Sequence, residues 1–346
     1  MSTSRAPGKP AFLQKGMTLP EIMIALTISV VLLTGVIQIF ISSKQTYRLL
    51  DANSRVQENG RFSVEHLTAD MRMAGFTGCY RGSAGGVENI LNDPGNFAWD
   101  LNNPLEGAEW TGGGWTPPLN AALAGQVLDN TDVVITRGLD TDGIGLTAPF
   151  SDGVQLFVDI AADNIDDGDI VMVTDCNNAS MFQVTNQQIT GGGTRVNIVH
   201  SNAAMSPGNS TSQLANNYGD DAQLARFVTN AYYIGAGASG EPALFRQTLI
   251  GNSLQAQELV EGVEDMQILY GEDLDGDGIA NRYVTADIAN MANVSSVRIS
   301  LLLRSMDNVT DAPQTYTYNG VETTAEDRRL RRIFTTTVKL RNRGLL

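Results

Sequence analysis

A Lys-Gly junction at Lys15-Gly16, an acid at Glu21 and then 20 residues without a charge, 22–41, constrain this chain more than any other feature. Within that run only Thr27, Ser29, Thr34 and Gln38 are clearly polar. As a helix it is long enough to cross a hydrocarbon layer of about 30 Å. A secretory signal peptide has a shorter apolar core and places its small-residue cleavage site after it. Here the processing-like site, a Gly after a Lys, comes before the run. Cutting between Gly16 and Met17 would remove a short basic leader and leave the apolar helix on the mature protein.

This arrangement resembles the class III signal of type IV prepilins and of type II secretion pseudopilins. The resemblance implies that a prepilin peptidase cuts after Gly16 on the cytoplasmic face and methylates the new N-terminus at Met17. Glu21 becomes the fifth mature residue. Met17 stands where Phe is commoner and Pro20 where an aliphatic residue is commoner, and Pro is tolerated in a first helical turn. An ionisable group within a membrane span is costly and is usually kept for a function. In an assembling subunit the Glu21 carboxylate would pair with the N-terminal amine of a neighbour and set register in an otherwise apolar bundle. The alternative is a plain anchor whose first acid sits at headgroup level.

The leader carries Arg5, Lys9 and Lys15 and no acid, so an N-terminus in the cytoplasm is expected, with the rest of the chain outside. Without those three, 20 of the 23 Lys and Arg remain against 38 Asp and Glu, a net charge near −18. That balance argues against a nucleic-acid-binding head. Cys79 and Cys176 both fall in the part expected outside, where an even pair is most simply a disulfide. It would close a loop of 97 residues, worth roughly 4–5 kcal/mol in the chain-entropy picture. The alternative is two unpaired buried thiols. No Cys-x-x-Cys occurs and His66 and His200 are far apart, which disfavours zinc.

Beyond the apolar run the helical pattern continues through Leu49, Ala52, Val56, Leu67, Met71 and Ala74, with Gly60 as a soft spot and Gly75 and Gly78 as the stop. One helix over residues 20–74 would be roughly 80 Å long, with His66 a polar helix residue. The remainder shows β-type runs at 131–137, 169–174, 181–185 and 194–200, and a hairpin of 226–234 with 243–248. Two alternating strands follow, through Val297–Leu303 positions and through Phe334, Thr336, Val338 and Leu340. The expected class is α+β, a long N-terminal helix and a β-rich head. Its expected divisions are a leader at 1–16, a membrane or filament-core half-helix at 17–41, a head-packed half-helix at 42–75 and the head at 76–346. The stretch 83–130, rich in Gly, Asn and Pro and holding Trp99, Trp110 and Trp115, is expected to be a long excursion pinned to the head by its aromatics.

Four head segments carry a second resemblance: RMAGFTGC at 72–79, LFR at 244–246, VEGVEDMQILYG at 260–271 and RIFTTTVKLRN at 332–342. In this order they resemble PilW-type minor pilins of the type IV pilus and, more distantly, J-type pseudopilins of type II secretion. The resemblance implies a structural role and no catalysis. Such a subunit would assemble in the inner membrane with other minor pilins, prime the major pilin on the assembly platform and stay at the tip with a PilY-type adhesin. A type II secretion pseudopilin is the alternative. From other classes, a membrane-anchored adhesin, receptor or enzyme is the rival. The chain contains no Gly-x-Ser-x-Gly, no His-Glu-x-x-His and no phosphate-binding loop, although paired carboxylates remain open in so acidic a sequence.

DLDGDGIAN at 273–281 is the candidate metal loop. Asp273, Asp275 and Asp277 would supply carboxylates to calcium, Ile279 its carbonyl, and Asn281 a side-chain or water-mediated contact, as in the first half of an EF-hand. Val284 occupies the place of the usual bidentate Glu, and Glu272 or Asp287 would have to substitute. The alternative is a solvated Asp-Gly turn. The acidic stretches at 140–143 and 166–169 lack a third alternating acid and are expected to be turns.

Overall fold

α1, Leu19–Met73, is one unbroken helix of 55 residues. The structure is a computed structural model, and it describes residues 16–80, 82, 86–150, 153–161 and 164–342. The basic leader, with Arg5, Lys9 and Lys15, lies outside the described residues. The chain divides into two compact units, Met1–Asp51 and Ala52–Leu346. In the first, every described side chain is exposed, and the helix there is long and apolar enough to cross a membrane. Its polar members satisfy themselves locally: Thr27, Ser29 and Thr34 donate to the carbonyls of Met23, Ala25 and Val30 at 2.7–2.8 Å. That leaves no hydroxyl hydrogen unpaired if lipid surrounds them.

In the second unit burial along α1 begins at Val56 and continues through Gly60, Ser63, Leu67 and Met71. Residues 42–51 of the segment expected to pack on the head are therefore exposed. Gly60 proves to be a contact: a Cβ there would come within 2.3 Å of the Phe334 ring. The helix ends as the sequence predicts, with Gly75 at φ 76° donating its N–H to the Arg137 carbonyl at 2.8 Å.

The strands form a head of two main sheets. In the larger, β1 (Glu88–Asn89), β8 (Ala179–Gln183), β7 (Ile170–Thr174), β11 (Gln223–Ala236), β4 (Val133–Leu139), β2 (Leu105–Trp110) and β3 (Trp115–Thr116) lie side by side. β12 (Pro242–Ile250) and β13 (Ser253–Glu261) branch from β11, and β5 (Ile144–Gly145) also pairs with it. β11 is the spine: its first residues pair with β7 and its later ones with β4 and β12. The second sheet runs β15 (Arg282–Val284), β14 (Val263–Glu272), β16 (Val294–Asn308), β19 (Arg329–Lys339). β6 (Leu156–Asp159), β10 (Arg195–Val199) and β9 (Asn186–Thr190) make a small sheet, and β17 (Thr315–Tyr318) with β18 (Val321–Thr324) a hairpin.

The main core lies where α1 meets both large sheets, with Val56, Leu67 and Met71 against Tyr232, Leu244, Met266, Ile299, Leu301 and Val338. A belt of charge closes its edge. Arg331 of β19 donates from Nε to Glu264 of β14 at 2.7 Å and from Nη1 to Asp327 at 2.6 Å. Arg329 reaches Glu241 with both terminal nitrogens at 2.8 Å.

The described part of the 83–130 stretch, residues 86–130, holds more regular structure than the sequence suggests, since it contributes β1, β2 and β3. Its tryptophans do pin it down. Trp99 is buried and donates to the Asp93 carbonyl, and Trp115 donates to the Thr131 carbonyl and meets Trp110 edge-on at 4.6 Å.

Candidate functional site

Gly16 and Met17 precede α1 and are exposed, so the proposed scissile bond is accessible. Thr18 is the residue before the helix, and Glu21 lies three positions on. The Glu21 carboxylate accepts the Thr18 N–H at 2.9 Å and the Thr18 hydroxyl at 2.8 Å. This is the carboxylate half of a capping box, which satisfies an N–H that the helix cannot. Thr18 was not singled out from the sequence, although Thr-x-x-Glu ahead of an apolar run is the signal for it. The geometry gives Glu21 a place to rest at its own helix start, with a carboxylate capable of accepting other N–H donors.

The acidic loop 273–281 joins β14 to β15. Oxygens of Asp273, Asp275 and Asp277 all lie within 4.8 Å of one another. Asp273 accepts the N–H groups of Gly276 and Gly278, each at 2.7 Å, and both glycines have positive φ. Desolvation pushes the Asp273 carboxyl up, but the hydrogen bonds from Gly278, Gly276 and Asp275 together outweigh it and hold the group below its ordinary range. Asn281 acts as a brace: it accepts from the Leu274 N–H at 2.6 Å and donates to Asp275 at 3.3 Å. The Ile279 N–H donates to Asp277 at 2.7 Å.

Neither substitute for the missing Glu is idle. Glu272 is buried and accepts from Arg282 at 2.6 Å and from the Asn290 N–H at 2.7 Å, and Asp287 accepts from Thr285. Val284 lies in β15 opposite Tyr270. Three clustered carboxylates are the donor set that hard cations take, and the rest of the loop is occupied in holding its own shape.

Cys79 and Cys176 are joined, with Cα atoms 4.5 Å apart. The bridge ties the chain just after α1 to the turn after β7. The 166–169 stretch is a turn, as expected, with Asp169 accepting the Asp166 N–H at 2.9 Å, whereas 140–143 is an irregular bend between β4 and β5 in which Asp140 pairs with Arg226 at 3.0 Å. Of the histidines, His66 lies against Phe62, ring centres 4.3 Å apart. His200 is buried with Nε2 3.1 Å from the Gly153 carbonyl, and desolvation lowers its pKa.

A pair of carboxyl groups does occur in the head, at Glu109 and Asp132. Asp132 is buried and accepts the Ile268 N–H at 2.8 Å, and burial followed by the Glu109 charge pushes it up to about 8. Besides Glu109 it meets two backbone N–H groups, those of Ile268 and Trp110, which makes it a cross-sheet tie between the approach to β4 and β14.

Two family matches meet this geometry. Residues 12–37 match the family described as the Prokaryotic N-terminal methylation motif, and residues 231–342 match Type IV Pilus-assembly protein W. The first covers the Gly16-Met17 junction, Glu21 and the start of the apolar helix; the second covers the end of β11, β12 to β19 and the acidic loop. No curated protein matches the chain. Among solved structures, the Type IV-like pilin TTHA1219 from Thermus thermophilus is similar at 13% identity, covering 85% of this chain and 96% of that one, with a TM-score of 0.33.

A methylation signal continuous with a long apolar helix, followed by a β-rich head, is the layout that likeness to the type IV pilin class implies. Within that class the chain is similar, over residues 231–342, to Type IV Pilus-assembly protein W.

Proposed function

We propose that this subunit helps prime type IV pilus assembly and remains at the filament tip. The observation that carries the proposal is the methylation signal placed directly on an exposed apolar helix that starts with Glu21. Prepilin peptidase would cut after Gly16 on the cytoplasmic face of the inner membrane, leaving the head in the periplasm. The apolar half of α1 would then associate with other minor pilins and the major pilin through close packing and satisfied polar groups. On assembly, Glu21 would exchange its Thr18 donors for the charged N-terminal amine of a neighbour. A head of this size suits an end position better than a repeated one, and a PilY-type adhesin is the partner expected beside it. The match at residues 231–342 is to a pilus-assembly family, which favours a pilus over a secretion pseudopilus.

Glu21→Ala should leave the head folded and reduce pilus number severalfold, counted by electron microscopy in a strain lacking the wild-type gene. Immunogold against the head should label filament ends. Normal pilus counts would overturn the role of Glu21, and even labelling along the shaft would overturn the tip position.

The loop 273–281 is proposed as a calcium loop, held by the Asp273, Asp275 and Asp277 carboxylates with the Ile279 carbonyl and Asn281 in supporting places. What supports this is the grouping of three carboxylates around a turn whose glycines already direct two N–H groups to Asp273.

A further inference from the structure

The face that β4, β11 and β12 present beside the last turn of α1 carries a polar row where a sheet under a helix usually carries apolar side chains. Thr136 and Thr248 are the cross-strand neighbours of Asn230. With Asp70 of α1 and Arg246 they line a cleft of about 420 Å³. A second lobe of about 250 Å³ shares Asp140, Val228 and Thr248 with the first and adds Asp166, Asp169 and Arg226.

Asn230 is only 7% exposed. Its amide nitrogen donates to Asp70 Oδ2 at 2.7 Å, which fixes the orientation of the amide and leaves Oδ1 in the cleft wall with no donor among the described residues. A buried acceptor left unmade costs about 1–3 kcal/mol. Asp70 also receives the Tyr232 hydroxyl on Oδ2, at 2.6 Å, and has no ion pair among the described residues. Around the two lobes stand four carboxylates, Asp70, Asp140, Asp166 and Asp169, and three guanidinium groups, of which Arg137 is paired with Glu106 at 3.0 Å. Arg226 is taken by Asp140 at 3.0 Å, and Arg246 donates to Gln257 at 3.3 Å while its charge acts on Asp70 from a distance. The walls thus hold a carboxylate with no direct ion pair, its charge only partly offset by Arg246 and His66, beside an amide oxygen with no donor, and their net charge is negative.

We propose that this cleft binds a guanidinium or primary ammonium group, with Asn230 Oδ1 and the Asp70 carboxylate as its acceptors. A guanidinium fits better than an ammonium, because its planar fork of N–H groups reaches two acceptors at once. The group comes either as an arginine side chain on an extended peptide or as a free small molecule.

The test is calorimetric titration of the full chain in detergent with three probes: a capped Ala-Ala-Arg-Ala-Ala peptide, its citrulline isostere and ethylguanidinium. The arginine peptide should bind and the citrulline peptide should bind at least tenfold more weakly. Binding by ethylguanidinium as well assigns the source to small molecules, and binding by the peptide alone assigns it to a protein partner. Asp70→Asn, which keeps an oxygen for Tyr232, should weaken binding about tenfold, as should the more exposed Thr248→Arg, with unchanged circular dichroism in both. Equal binding of the citrulline peptide, no binding by any probe, or indifference to both substitutions would overturn the proposal. None of these results depends on whether the chain is processed or assembled.

Discussion

Glu21 has one carboxylate and two claims on it. In the single chain it caps its own helix through Thr18, and in the filament proposed above it would serve a neighbour's amine. The exchange is balanced in kind, since one N–H acceptor role replaces another and the added charge offsets the loss of the hydroxyl bond. Asp132 presents a different residue-scale problem, an acid held in the core. Its pKa in the folded state, about 8, lies above the ordinary value of 3.8. The folded protein therefore binds more protons than the unfolded chain between about pH 4 and 8, so this group makes stability fall as pH rises through that window. Asp132→Asn keeps an oxygen for the Ile268 N–H and removes the titration. Denaturant melts at pH 5 and pH 8 should show a smaller pH dependence in the variant than in the wild type; an equal or larger dependence would contradict the assignment.

Single elements differ in how openly the sequence announces them. α1 was legible to within a residue at each end, because no Pro interrupts it after Pro20 and Gly75 stops it. The alternating strands β16 and β19 were equally plain. β2 was not, because LEGAEW carries Gly107 at its middle; that glycine is there because any Cβ would come within 1.9 Å of the Tyr270 hydroxyl. β13, SLQAQELVE, pairs only with β12 and so lacks the apolar alternation that marks a half-buried strand. Its signal was instead the Gly251-Asn252 turn, just as Asn319-Gly320 marks the β17–β18 hairpin with positive φ at both positions. β14 hides its period behind a register shift between Val263 and Asp265.

Gly60 tests the helix as an element. Ala favours helix over Gly by about 1 kcal/mol, whereas overfilling the Phe334 contact costs about 1–3 kcal/mol. Gly60→Ala should therefore lower the melting temperature, and Phe334→Leu in the same chain should return part of the loss. A higher melting temperature for Gly60→Ala alone would show that the ring yields freely. For the acidic loop, calcium should raise the melting temperature of the full chain, and Asp275→Ala with Asp277→Ala should abolish the rise. An unchanged wild-type melting temperature would leave the loop a hydrogen-bonded turn.

At the scale of the whole molecule, what the sequence could not show was mostly non-local. β11 gathers partners from positions as distant as Val134, Val173 and Phe245, and no local pattern encodes that order. The Asp70–Asn230 cleft was hidden for the same reason, being built from a helix and three strands far apart in the chain. The Cys79–Cys176 bridge was legible because two cysteines have one way to pair with each other. The N-terminal signal was the most legible of all, since its parts are consecutive. The account as a whole rests on that signal being used. Intact mass spectrometry of the chain purified from membranes measures this directly. The mass should correspond to loss of residues 1–16 and gain of one methyl group on Met17. A chain that keeps its leader, in cells with an active prepilin peptidase, would contradict the account.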